Sequence, residues 1–112
     1  RNKTELLLGL YVKWGDDAVD IEPIKHLYKS QIYELASCLN VPERIINKPP
    51  TPDLIPGLTD EMAFKMTYKE IDEILIELES GIERNDEKAQ RIKKIIELAN
   101  WRQLKSVGIE DF

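Results

Sequence analysis

Apolar residues recur at helical spacing in several places along the chain. Leu7, Leu10, Tyr11 and Trp14 fall at i, i+3, i+4 and i+7, the stripe of a helix that buries one face. That helix is expected over Lys3 to Trp14, with Asn2 or Thr4 capping its start and Gly15 just past its end. A second helix is expected over Lys25 to Asn40, with Ile32, Leu35, Ala36 and Leu39 as its stripe. Val41-Pro-Glu-Arg-Ile-Ile46 reads as a short turn of helix with Pro42 at its first position. Thr67-Tyr-Lys-Glu70 is a capping box: the Thr67 hydroxyl accepts from the N–H of Glu70, and the Glu70 carboxylate reaches back. The helix it opens carries Ile71, Ile74, Leu75 and Leu78 on one stripe and should end near Ser80-Gly81. Asp86 should open a last helix, with Ile92, Ile95, Ile96 and Ala99 facing inward. Charges fill the other faces of both, as on solvent-facing sides.

The segments between have their own logic. Asp16 to Ile24 reads as a loop or short extended piece, with Val19 to Ile21 the one stretch that resembles a strand. Lys48-Pro-Pro-Thr-Pro-Asp-Leu54 is too rich in proline for a helix or a central strand. Pro49, Pro50 and Pro52 freeze the backbone around Thr51, so its hydroxyl is held at low entropic cost. Thr59-Asp-Glu61 reads as a further polar turn, and Trp101 to Phe112 has no clear period.

Composition narrows the class. With 112 residues, 42% hydrophobic and 33% charged, the chain is long enough for one domain with a modest core. The formal net charge of -5 gives no long-range attraction to nucleic acid or to anionic membrane. No apolar run approaches the roughly 20 residues of a membrane span, and no signal peptide is visible. A lone Cys38 and a lone His26 leave no disulfide and no structural zinc site to expect. Cys38 lies in an apolar helical pattern and reads as buried filler; His26 reads as structural. The chain opens at Arg1 with a helical pattern almost at once, which reads as a segment of something longer.

Three sets of residues could carry chemistry. Glu5, Gly9 and Lys13 stack at i, i+4 and i+8 of the first expected helix. Gly9 there means either close packing against a neighbour or room for a ligand between Glu5 and Lys13. Asp16, Asp17, Asp20 and Glu22 form an acid cluster without the spacing of a calcium loop. Lys29 lies near the beginning of the second helix, where a cation opposes the helix dipole. A bound anion would relieve that and would meet free N–H groups.

The chain resembles the ammonia-dependent NAD synthetases, which belong to the adenine-nucleotide-binding ATP pyrophosphatases. The resemblance is carried by Asn2-Lys-Thr-Glu-Leu-Leu-Leu-Gly9, Lys13-Trp-Gly-Asp16, Val19-Asp-Ile-Glu-Pro-Ile24, Leu27-Tyr-Lys29, Val41-Pro-Glu43, Lys48-Pro-Pro-Thr51, Asp53-Leu54, Thr59-Asp-Glu61 and Thr67-Tyr-Lys-Glu-Ile-Asp72. It implies a mostly α chain that is the C-terminal helical part of an α/β fold, with residues 1–112 forming one incomplete domain. The phosphate-binding loop Ser-Gly-Gly-x-Asp-Ser is absent, and one ATP-contacting threonine of the family would stand just before Arg1. The reaction implied is adenylation of deamido-NAD by ATP with release of pyrophosphate, then displacement of AMP by ammonia to give NAD. The resemblance also implies a cytoplasmic homodimer.

By the same resemblance Lys29 and Thr51 match ATP-binding positions, Lys13 and Asp20 match positions that hold deamido-NAD, and Glu5 matches a magnesium ligand. No residue here is matched to a catalytic role. Without the second carboxylate of the phosphate loop, Glu5 is expected free or paired with a neighbouring cation, and the chain alone is expected to be inactive. Asp17 and Ala18 replace glycines common in the family, and Pro52 replaces an alanine. Asn100-Trp-Arg-Gln103 falls where the family often has His-Lys-Arg-Gln, which puts substrate contacts from the tail in doubt. Two other readings stand beside this one: an ATP pyrophosphatase acting on a different carboxylate, and a non-catalytic helical domain used for subunit contact.

Overall fold

A computed structural model describes every residue except Asp53 and Leu54. Among the described residues all regular structure is helical, in the order α1 (Lys3–Leu8), α2 (Lys13–Asp16), α3 (Lys29–Cys38), α4 (Glu43–Ile46), α5 (Asp60–Phe64), α6 (Tyr68–Glu79) and α7 (Glu87–Ala99). Two short 3-10 turns, Asn100–Gln103 and Ile109–Asp111, follow α7. Val19 to Ile21 forms no strand.

The core is built on α6. Ile71, Ile74 and Leu75 are almost wholly buried, as are Ala89 and Ile92 of α7, and Leu8, Tyr28, Met66 and Tyr68 close round them. Helix α6 packs on α3 and α7, and α1 packs on α3 and α7. Each fully buried isoleucine contributes about 1.5–3 kcal/mol by leaving water. The stripe on α6 therefore organises the fold, as its periodicity indicates. Its capping box is present: Thr67 Oγ1 accepts from Glu70 N at 3.2 Å, and Glu70 Oε2 accepts from Thr67 N at 2.9 Å. Asp86 caps α7.

Elsewhere the structure departs from the periodicity. The first expected helix breaks in two. Gly9 turns left-handed at φ 71° and ends α1, its N–H bonding back to the carbonyls of Glu5 and Leu6. A Cβ there would stand 2.5 Å from Ala99 Cβ. Close packing, not a ligand, is thus what Gly9 serves, and Lys13 begins a separate one-turn helix. The second helix is shorter than expected, starting at Lys29 rather than Lys25. Its stripe is only half engaged: Leu35 and Leu39 are exposed, and so is Cys38. The polar turn at Thr59 is the start of α5, with Thr59 Oγ1 accepting from Met62 N at 3.2 Å. Pro42 precedes α4 as its cap residue rather than standing in its first turn.

The radius of gyration, 15.7 Å, exceeds the roughly 13 Å typical of a compact domain of this length. Large apolar side chains account for part of the outer surface, including Val12, Trp14, Ile21, Leu98 and Trp101.

Candidate functional site

The site begins at the first turn of α1. Asn2 Oδ1 accepts from Glu5 N and Glu5 Oε2 accepts from Asn2 N, both at 2.9 Å. This reciprocal cap fixes the Glu5 carboxylate beside the positive end of α1, where a negative charge is favoured. Its other oxygen, Oε1, lies 3.3 Å from Lys29 Nζ. Of the two outcomes expected for Glu5, the structure has the paired one.

Lys29 is the first residue of α3, and the start of that helix is tied down from two sides. Lys29 N donates to Thr4 Oγ1 at 2.9 Å, and Ser30 N donates to Asp72 Oδ2 at 2.7 Å. The Thr4 hydroxyl in turn donates to Asp72 Oδ1 at 2.6 Å. Thr4 and Asp72 are both inaccessible to solvent. The free N–H groups expected to meet a bound anion are therefore not free at these two positions. The buried Asp72 carboxylate takes the place at the helix N-terminus that an anion would otherwise fill. The Lys29 side chain leaves this anchored turn and passes over Tyr68, with Nζ 5.4 Å from the ring centroid. The Tyr68 hydroxyl donates to Asp60 Oδ2 at 2.6 Å. Burial first, and that hydrogen bond second, hold the Tyr68 phenol far above the ordinary tyrosine range, so it stays a neutral donor.

Among the described residues Thr51 borders three open clefts, two of which reach other expected site residues. One, about 260 Å³, is bordered by Lys29, Tyr33, Lys48 and Thr51. The other, about 460 Å³, is bordered by Glu5, Tyr11, Asp16, Thr51 and Asp60. The backbone carbonyl of Pro50 accepts from Asp60 N at 2.9 Å and ties the proline loop to α5. Glu5, Lys29 and Thr51 thus come together although 46 residues separate the first from the last.

Lys13 stands apart from them, since the break at Gly9 removes the helix face it was expected to share with Glu5. Its ammonium donates to the Trp101 carbonyl at 3.3 Å and lies 4.7 Å from the Trp14 ring centre. It borders a cleft of about 440 Å³ with Arg1, Tyr11, Trp14 and Arg102. Tyr11 borders this cleft and the one at Glu5, so the two adjoin. The tail reaches Lys13 through Trp101, whose ring also lies 4.7 Å from the Arg102 guanidinium carbon.

The acid cluster divides by role. Asp17 and Glu22 pair with Arg1, whose side chain is 5% exposed, and Glu22 also meets Lys25 at 2.9 Å. Lys25 first and Arg1 second hold the Glu22 carboxyl below its ordinary range. Asp16 Oδ2 accepts from Val12 N at 2.9 Å at the start of α2. The exposed Asp20 side chain is the one of the four that forms no hydrogen bond or ion pair among the described residues, and it borders none of these clefts.

Among the described residues no three His, Cys, Asp or Glu side chains converge on one point. The Glu5 cleft is bordered by the carboxylates of Glu5, Asp16 and Asp60, and Glu5, the one matched to magnesium by resemblance, has one oxygen against an ammonium and the other against an amide. That fits a single ligand of an ion carried on phosphates, not a site complete in the protein. Asp53 and Leu54, part of the sequence resemblance, lie outside the described residues. Thr4, Asp72, Tyr68 and Arg1 were not legible as parts of the site. Thr4 and Asp72 sit in stretches that resemble the family, but a hydrogen bond across 68 residues leaves no mark on local spacing.

The NAD synthase family model matches residues 1–106. The NH(3)-dependent NAD(+) synthetase of Thermotoga maritima is 63% identical over 101 residues, 88% of this chain and 36% of that one. That of Archaeoglobus fulgidus is 47% identical over 96 residues, 86% of this chain and 39% of that one. A solved structure, the NMN synthetase from Francisella tularensis, superposes with a TM-score of 0.80 at 32% identity, over 96% of this chain and 44% of that one. The chain therefore spans between a third and two fifths of the length of these curated relatives.

Proposed function

The chain belongs to the NAD synthase family, and from that premise we propose that it serves the ATP-dependent amidation of deamido-NAD by ammonia. The observation that carries this reading is the meeting of Glu5, Lys29 and Thr51 at adjoining clefts, with Lys13 in the next cleft across Tyr11. A cation and a hydroxyl at one cleft suit the phosphates of ATP. A lysine between indoles suits an anionic substrate with a planar ring.

In the proposed reaction a carboxylate oxygen of deamido-NAD attacks the α-phosphorus of ATP and pyrophosphate leaves. Ammonia then attacks the acyl carbon, loses a proton and expels AMP. Negative charge grows on the departing pyrophosphate. Lys29, held by Glu5 and the Tyr68 ring, is placed to offset that charge, and a prepositioned cation needs no reorganisation as the charge develops. Thr51 orients the nucleotide from its proline-bounded loop. Lys13 is proposed to hold deamido-NAD from its cleft, and Asp20, which borders none of these clefts, keeps that role on the resemblance alone. Magnesium, if bound with the nucleotide, would supply further charge neutralisation, and Glu5 is the carboxylate proposed to hold it. The remaining length of the relatives is proposed to supply the phosphate loop and the sheet, with the whole working as a cytoplasmic homodimer.

A second acceptor is kept because the Francisella protein is named an NMN synthetase. The higher identity to NAD synthetases favours the dinucleotide. The test is to give the intact protein ATP, magnesium and ammonia with either deamido-NAD or nicotinate mononucleotide. NAD, AMP and pyrophosphate from the first are expected. Amidation of the mononucleotide alone would move the function to the second reading, and no product from either would favour a non-catalytic helical domain.

A further inference from the structure

The Lys29 ammonium can serve a nucleotide only if the turn that carries it is fixed, and that turn has an unusual anchor. A helix N-terminus normally presents its first N–H groups to water, to a cap or to a ligand. In α3 the amides of Lys29 and Ser30 instead reach Thr4 and Asp72, which come from α1 and α6. The Asp72 carboxylate is 1% exposed and meets no cation among the described residues; its oxygens are met by the Thr4 hydroxyl and the Ser30 amide. A buried carboxylate that relies on so few donors is costly to keep. Apolar side chains of similar volume would hold the core together without that cost. What they would not do is fix where α3 begins.

We infer that Thr4 and Asp72 are positioning residues, which set the register and direction of the first turn of α3 so that Lys29 Nζ points into the nucleotide cleft. The inference rests on the reading of Lys29 as an ATP-binding residue. The relay also joins the two partners of the Glu5–Lys29 pair. Thr4 precedes Glu5 in α1, and its oxygen holds the Lys29 amide. The carboxylate and the ammonium are thus fixed to each other through a path separate from their own contact.

The test uses the intact protein and three variants, Thr4→Val, Thr4→Ser and Lys29→Ala. Thr4→Val keeps the shape and removes the hydroxyl; Thr4→Ser restores it. Losing one buried hydrogen-bond partner costs enough for roughly a tenfold effect. The expected result is a roughly tenfold rise in KM for ATP with Thr4→Val, recovery with Thr4→Ser, and no change in KM for deamido-NAD. Hydrogen exchange read at the Lys29 and Ser30 amides should quicken in Thr4→Val ahead of the rest of α3.

If Thr4→Val raises both KM values alike, or leaves the ATP value unchanged while Lys29→Ala raises it, the positioning role is wrong. If Lys29→Ala itself leaves KM for ATP unchanged, the reading of Lys29 fails instead. Should Thr4→Val not fold, Thr4→Ser with unprotected Lys29 and Ser30 amides would equally overturn the inference.

Discussion

Gly9→Ala perturbs the turn that separates the Glu5 cleft from the Lys13 cleft. Gly9 sits at φ 71° and ψ 26°, where a residue with a Cβ loses about 1–2 kcal/mol. The added Cβ would stand 2.5 Å from Ala99 Cβ, which no relaxed contact permits, and 3.4 Å from Arg102 Nη1. Forcing a methyl into a filled site costs roughly 1–3 kcal/mol more. The stiffer unfolded chain returns about 0.4–1 kcal/mol, leaving a net loss of roughly 1–4.5 kcal/mol. The steric share can be isolated by a cycle with Ala99→Gly. With the Ala99 Cβ gone, the nearest remaining atoms are Ala99 Cα and Arg102 Nη1, both at 3.4 Å, which are ordinary contacts. Ala99→Gly alone should cost about 1 kcal/mol as a helix glycine, or less at the last position of α7. The double variant should then be more stable than the sum of the singles by about 1–2 kcal/mol. Urea unfolding of all four proteins, followed by circular dichroism, gives the cycle. Additivity within about 0.5 kcal/mol would refute the packing argument and leave backbone conformation as the whole effect.

In the intact protein Lys29→Ala should weaken ATP use more than Thr51→Ala, because a charged hydrogen bond to phosphate exceeds a neutral one; steady-state KM values for ATP decide it, and an equal or reversed order counts against the assignment. Glu5→Gln should raise the magnesium needed for half-maximal activity, while an unchanged magnesium dependence with altered ATP affinity would mean that Glu5 acts only through Lys29. Tyr68 has a folded-state pKa raised above its ordinary 10.0 by burial and then by Asp60, so its contribution to stability is complete below that value and is lost as pH rises past it towards the folded pKa. Tyr68→Phe should therefore flatten the alkaline fall in stability relative to the parent protein, and parallel curves above pH 10.0 would contradict the linkage.

What the sequence determined by itself were the features that depend on near neighbours. The stripe Ile71, Ile74, Leu75 and the Thr67–Glu70 capping box set α6, because burial of one face and reciprocal capping both act within a few residues. Asp86 and the stripe through Ile92 set α7 in the same way. The motifs from Asn2 to Asp72 were enough to place the chain in its family. What only the tertiary structure decided were the meetings between distant segments. The apolar period through Leu10, Tyr11 and Trp14 suggested an unbroken helix, but α7 brings Ala99 against Gly9, and the left-handed turn there sends Lys13 to another cleft. Lys29 could be seen near a helix start, yet its N–H was met by Thr4 and its neighbour's by Asp72, from 25 and 42 residues away. Cys38 had the period of a buried residue and is exposed, as are Leu35 and Leu39 of the same run. A periodic stripe says that a face can be buried; whether anything lies opposite to bury it is a property of the packing.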